Sequence, residues 1–256
     1  MTQSMSLSYK GAHVVDASGF TFEPPPEVAR ARRVLLKPQA SHPLPYPITT
    51  SRELLGAIID GIRRVSDADV LLLESANTEQ SVRSIYRSLG YNFPRVMALD
   101  VRECVWVEVE NPLAKPFALS SFWVPNVLLS CDYLISVAPF KMTGNRAGFA
   151  LENLLGLLPP NKYKSSNAVG QEFLQRLGLA NVIADLYFTL PFDLGIVDAG
   201  AKFFSDGDAL SGRVEEYGKI FLGEPLEVDR FASEAAGVET GYVRLIETAK
   251  NAIGSI

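Results

Sequence analysis

The chain has 256 residues, 47% hydrophobic and 21% charged, and carries a net charge of −5. That length supports a large core without disulfide or metal staples, and the lack of a basic surplus argues against nucleic acid as a partner. No run approaches the roughly 18 uninterrupted apolar residues of a membrane span. The N-terminus shows neither an apolar signal core nor an Arg-rich presequence, so the expectation is a cytoplasmic protein with no membrane partner. Its two cysteines, Cys104 and Cys131, form no CxxC pair, and its two histidines, His13 and His42, offer few metal ligands. A structural zinc or iron–sulfur cluster within the chain is therefore not expected, and the cysteines read as reduced, buried thiols.

In chain order, residues 1–8 read as a loose terminus. Val34–Leu36 is a short apolar run closed by Lys37-Pro38, the pattern of a buried parallel strand. A proline-rich loop holding His42 follows. Thr50 or Ser51 then caps a helix whose apolar residues, Leu54, Leu55, Ile58, Ile59 and Ile62, recur at helical spacing. Val70–Leu73 is a second buried strand closed by Glu74-Ser75. Thr78 is the expected cap of the next helix, which Gly90 ends. Arg95–Asp100 is a third strand. This β-α-β-α-β succession predicts a parallel sheet with right-handed crossovers.

The period then changes. Cys104–Glu110 alternates like a half-exposed strand and Phe117–Phe122 pairs with it, a small β insertion at 102–124. Leu134–Val137 is the central strand. The loop that follows holds Lys141, Thr143, Asn145 and Arg146, and the spacing predicts a helix over 147–158. Beyond it come a helical stretch over 172–190 with a possible break at Gly178, a strand at Leu194–Val197 ending in Asp198, and a polar loop over 205–213. A strand at Gly218–Leu222 and helices over 225–236 and 243–253 complete the chain. The fold class is α/β: a mixed, mostly parallel sheet with helices on both faces, in one domain over 1–256. A homodimer is compatible with everything above.

Open parallel sheets bind ligands beyond the carboxyl ends of their strands. Lys37, Glu74, Asp100, Lys141, Asp198 and Glu224 fall at or just past such ends. Lys141 stands out, because its stem follows the apolar LISVAPF run. A lysine withdrawn from water has a lowered pKa, which suits a general base or electrostatic stabiliser. The alternative is a structural lysine paired with Asp198 or Asp229. Thr143, Asn145 and Arg146 ahead of a helix resemble a weak anion site, although Asn145 also suits a simple N-cap. No GxxxxGK[ST] or GxGxxG motif accompanies them, and no Gly-x-Ser-x-Gly elbow is present. Asp206 and Asp208 lack the spacing of a calcium loop.

Four segments in order, VLLKPQ with PITTSRELLGAII, CDYLISVAPFKMT, GFALENLLGLLP, and LGIVDAGAKF with GEPLEVDRFASEAAG, resemble the domain-of-unknown-function family 362. The resemblance spans about positions 34–237 and implies the α/β fold. It carries over Lys37, Lys141, Asn153, Gly156, Asp198 and Asp229. This chain has Thr143 where the family has histidine, Glu152 where it has lysine, and Gln39 where it has asparagine. Some relatives append ferredoxin-type cysteine motifs, and this chain has none. The family is distantly similar to nickel-dependent lactate racemase, yet Thr143 in place of histidine argues against a histidine-held metal.

The resulting expectation is a cofactor-independent enzyme using acid–base chemistry, of isomerase, cyclase or lyase type, on a small anionic metabolite. Lys141, Asp198, Asp229 and Glu74 are the candidate catalytic residues. Lys37, His42, Thr143, Asn145, Arg146 and Asn153 are the candidate substrate-binding residues, with no metal ligand. The alternative is a non-catalytic ligand-binding protein, or a redox accessory docking an iron–sulfur partner.

Overall fold

The structure is a computed structural model, and it describes residues 9, 11–144, 146–205, 207 and 210–253. Among them lie strands β1 (Ala12–Asp16), β2 (Arg33–Pro38), β3 (Asp69–Glu74), β4 (Val96–Asp100), β5 (Trp106–Glu110), β6 (Ser121–Pro125), β7 (Tyr133–Thr143), β8 (Arg146–Gly148), β9 (Lys164–Ser165), β10 (Ala168–Val169), β11 (Leu194–Ser205) and β12 (Arg213–Gly223). The helices are α1 (Arg52–Val65), α2 (Val82–Ser88), α3 (Gln171–Arg176), α4 (Leu179–Thr189), α5 (Pro225–Ala236) and α6 (Gly241–Ile253).

The main sheet runs β1-β12-β11-β7-β2-β3-β4, with β8 folded back on β7. The strands from β11 to β4 pair in parallel, while β12 and β1 are antiparallel additions. Successive strands β2, β3 and β4 build outward on one side. The chain then returns to lay β7 and β11 on the other side of β2. The sheet order thus reverses between β2 and β7, the place where doubly wound folds open a crevice at the carboxyl ends of the strands.

Alternation along each strand explains the two covering layers. Val34, Leu36, Val70 and Leu72 face α1 and α2, where Leu55, Ile58 and Ile62 meet them. Leu35 and Leu73 face the opposite way, against Leu154, Leu157, Val182, Leu186 and Ile246. Each fully buried side chain of this kind contributes about 1.5–3 kcal/mol. A third cluster of Phe140, Phe149, Val197, Phe221 and Val228 fills the space under α5. The β5–β6 hairpin occupies the expected insertion, and its connecting segment is held from outside: buried Asp185 on α4 accepts the backbone N–H groups of Phe117, Ala118 and Leu119 at 2.6–2.9 Å.

Several boundaries differ from the sequence expectations. Ser81 caps α2, accepting from the Ser84 amide, while Thr78 accepts from the Gln80 amide in the preceding turn. The central strand does not stop at Val137 but runs through Thr143, and Arg146 begins the short return strand β8. The helix expected over 147–158 is a 3-10 turn, Glu152–Leu157. Among the described residues no helix starts at Thr143 or Arg146, which lie in strands, so helix amides do not form the expected anion site at these two residues. The reason is register: β7 continues beside Lys202–Ser205 of β11 after a bulge, so Phe140 and Met142 stay buried while Lys141 and Thr143 face outward. Likewise β11 runs past Asp198 to Ser205, which places Asp198 within a strand rather than at its end. Strand β1 was not expected at all.

Candidate functional site

A cleft of about 240 Å³ opens at the β2/β7 switch point, lined among others by Lys37, His42, Glu74, Ser75, Lys141 and Arg146. Its floor is a closed polar cluster. Lys37 ends β2 with its side chain 1% exposed, and its Nζ donates to Glu74 Oε2, Asn153 Oδ1 and the Pro38 carbonyl, each at 2.9 Å. All three ammonium protons are thus committed. Glu74 ends β3, and its two oxygens also accept the amides of Ala40 and Ser75 at 2.8 Å. Asn153 returns its amide protons to the Lys37 carbonyl at 2.8 Å and to Ser136 Oγ at 3.1 Å. Burial pulls both ionisable groups toward neutrality, lowering Lys37 and raising Glu74, and each partner's charge opposes that pull. Gly156 completes the floor: a Cβ there would lie 2.5 Å from Glu74 Oε1 and 2.9 Å from Lys37 Nζ, so only glycine lets the turn approach this closely.

Farther along β7 the cleft becomes cationic. Lys141 lies with its Nζ 5.8 Å from the centre of the Phe203 ring. Arg146 on β8 pairs with Glu152 at 2.8 Å, half open to solvent. Burial raises Glu152, against the nearby charges of Arg146 and Lys141. His42, from the loop after β2, has Nδ1 3.0 Å from Ser41 Oγ. Burial lowers its pKa, and the positive charge of Lys141 lowers it further, so its imidazole is biased to the neutral form. Thr143 and Asn153 line the same cleft. Asn145 lies outside the described residues.

Two expected catalytic carboxylates do not line the cleft. Asp198 shares a strand face with Ile196, which packs toward α1, and it accepts Ser51 Oγ at 2.6 Å, Tyr46 OH at 2.9 Å and the Gly200 amide at 3.1 Å. It thereby fixes Ser51, the N-cap of α1. Asp229 on α5 is fully buried and accepts the amides of Ala150 and Leu151 and the Tyr242 hydroxyl at 2.8–3.0 Å. It anchors the chain just ahead of the turn that carries Glu152, Asn153 and Gly156. The cleft is lined by Lys141 but by neither aspartate, so the lysine and the two carboxylates do not converge on it together. Asp100 and Glu224 are likewise engaged elsewhere, with Arg102 and as the N-cap of α5.

Glu152 and Ser75 belong to the cleft and were not candidates on sequence grounds. Glu152 sits six residues after Arg146, a spacing that becomes a contact only because β8 folds back. Ser75 directly follows the buried Glu74, which was the available signal. The cysteines offer no nucleophile, since burial pushes Cys131 up to about 11 and raises Cys104 as well. Among the described residues, no three His, Cys, Asp or Glu side chains cluster as a metal site, and no helix is long and apolar enough to cross a membrane.

Fold and cleft together define a doubly wound α/β protein with a charged crevice at its switch point. Residues 34–234 match the family described as "Domain of unknown function (DUF362)", and the chain belongs to that family. No curated protein matches it. Among solved structures it is similar to the lactate racemase apoprotein from Thermoanaerobacterium thermosaccharolyticum, with a TM-score of 0.52 and 11% identity. That likeness covers 84% of this chain and 52% of the other, so the present chain spans about half the length of that protein. At this identity the likeness is one of fold.

Proposed function

We propose that the cleft is the active site of an enzyme that moves protons on a small anionic metabolite, in an isomerase, cyclase or lyase type of reaction. The observation that carries this reading is the grouping of Lys141, Arg146, Glu152 and His42 on one cleft at the switch point. Neutral His42 suits proton abstraction, because a base must be unprotonated at the working pH. Lys141 and Arg146 supply the positive field that holds a carboxylate or phosphate and stabilises the anion formed when a C–H proton leaves. Thr143 adds a hydroxyl beside them. Glu152, raised by burial, is suited to return the proton. The Lys37–Glu74–Asn153 cluster supports the floor, and Asp198 and Asp229 position the elements that carry the site.

The distant likeness to a racemase, itself an isomerase by name, supports an enzyme-like fold but not a particular reaction. A histidine-held nickel does not fit these residues. His42 is the cleft's single imidazole, and His13 sits on β1 against the Tyr9 ring. No step in this reading runs through a cofactor.

The test uses a panel of small carboxylates and phosphates in D2O, with loss of C–H signals followed by NMR. The wild type should exchange protons on at least one compound. Lys141→Met should slow that exchange by about 10²–10³-fold with a melting temperature near wild type. Unchanged exchange in the variant refutes the reading. Loss of exchange together with a large loss of stability assigns Lys141 a structural role instead.

A further inference from the structure

One buried side-chain oxygen of a cleft-lining residue has no hydrogen-bond partner among the described residues. Ser75 is 4% exposed, it lines the cleft, and its Oγ makes no hydrogen bond among the described residues. Its backbone amide is fixed on Glu74 Oε1 at 2.8 Å, so the residue is held in place while its hydroxyl is left over. Two other buried hydroxyls share this state, those of Tyr86 and Ser205, but neither lines the cleft. A buried hydroxyl without a partner costs stability, and each such group in a folded protein calls for an explanation, a functional role among them.

The charge around Ser75 differs from that at the other end of the cleft. Beside it stands the Lys37–Glu74 pair, which is neutral as a unit and has every lysine proton engaged. That floor neither attracts an anion nor offers it a donor. The cationic end lies elsewhere. Counted through the registers of β3, β2 and β7, Ser75 is level with Ala138 two strands away, and Lys141 follows three residues later, about 10 Å farther along the strand at ~3.3 Å per residue. The long-range charges that act on His42 and Glu152 include Lys141, whereas those on Glu74 come from Lys37.

We propose that the cleft takes an elongated ligand with an anionic group at Lys141 and Arg146 and an uncharged hydroxyl or carbonyl oxygen bonded to Ser75 Oγ. This rests on the reading of the cleft as the active site and adds a second anchoring point and a minimum length to it. A two- or three-carbon acid reaches one end but not both.

The test measures binding by calorimetry for a series of ω-hydroxy carboxylates from three to ten carbons, each beside its unsubstituted carboxylate. At one of the longer chain lengths the hydroxy acid should bind roughly fivefold more tightly than its match, the worth of one hydrogen bond. Ser75→Ala should erase that preference and leave the plain carboxylate unchanged. It should also be at least as stable as wild type toward urea, because it deletes an unpartnered hydroxyl. Lys141→Met should weaken both members of each pair. The Ser75 assignment is overturned if no chain length shows the preference, if the preference survives in Ser75→Ala, if it is greatest for the three-carbon acid, or if Ser75→Ala is clearly destabilised. If Lys141→Met weakens every probe and only the hydroxyl preference is missing, the active-site reading stands without Ser75. Should no probe bind the wild type, or all bind Lys141→Met unchanged, both fall.

Discussion

Replacing Lys37 with methionine probes the floor of the cleft most directly. Methionine keeps much of the stem but removes the charge and three hydrogen bonds, those to Glu74, Asn153 and the Pro38 carbonyl. Glu74 would then be a carboxylate with its side chain 2% exposed, left with the Ala40 and Ser75 amides as donors. Removing one partner of a buried pair costs about 3–5 kcal/mol, because the other charge stays in a medium that cannot solvate it. For a chain of this size that is a fall of roughly 6–20 °C in melting temperature. Burial already raises Glu74, and without the opposing charge of Lys37 it rises further, so part of the loss should be recovered as the pH is lowered. The assay is urea unfolding followed by circular dichroism at pH 5 and 7.5, on Lys37→Met, Glu74→Gln and the double variant. The double variant should be more stable at pH 7.5 than Lys37→Met alone, since it removes the stranded charge. If Lys37→Met lies within about 1 kcal/mol of wild type at pH 7.5, or if Glu74→Gln restores nothing, the pair is not the supporting element described here.

Two further substitutions bear on the same region. Gly156→Ala places a methyl group 2.5 Å from Glu74 Oε1; the turn or the pair must shift, at a cost of about 1–3 kcal/mol, and an effect below about 0.5 kcal/mol in urea would show that the turn yields freely. Asp229 is pushed by burial from 3.8 up to about 7. A raised carboxyl pKa means that its contribution is fully present below about pH 4 and is lost as pH rises through 7. The stability of wild type relative to Asp229→Asn should therefore fall by about 4 kcal/mol between pH 4 and 8, taking three pKa units at about 1.4 kcal/mol each. Parallel stability curves for the two proteins would contradict the shift.

Much of the α/β frame could be read from the sequence because buried parallel strands are nearly continuous apolar runs. Val34–Leu36 and Val70–Leu73 are both of that kind, and the helices between them carry clear apolar stripes. The extension of β7 was harder to see, since Pro139, Lys141 and the following polar residues look like a loop. The alternation of Phe140 and Met142 with Lys141 and Thr143 was the signal, and it acquires meaning only beside β11. Expecting polar residues at strand ends pointed to Lys37, Glu74 and Lys141, which line the cleft, although Lys141 lies within β7 rather than at its end. It failed to separate them from Asp198, because the face a strand residue occupies depends on which layer covers it. Asp229 was out of reach for a similar reason: its partners, Ala150, Leu151 and Tyr242, are joined to it only by tertiary packing.

The closed arrangement of Lys37, Glu74, Asn153 and Gly156 also limits how sequences of this kind can diverge. Lys37 bonds both Glu74 and Asn153, and Gly156 makes room for Lys37 and Glu74, so one replacement leaves a stranded charge, an unbonded amide or a collision. Divergence there should proceed in coordinated sets, through intermediates that are poorer than either endpoint. Neighbouring Glu152, 20% exposed and tied to a half-open arginine, carries no such burden. The lining of the crevice can therefore be rewritten one residue at a time above a floor that changes only as a block.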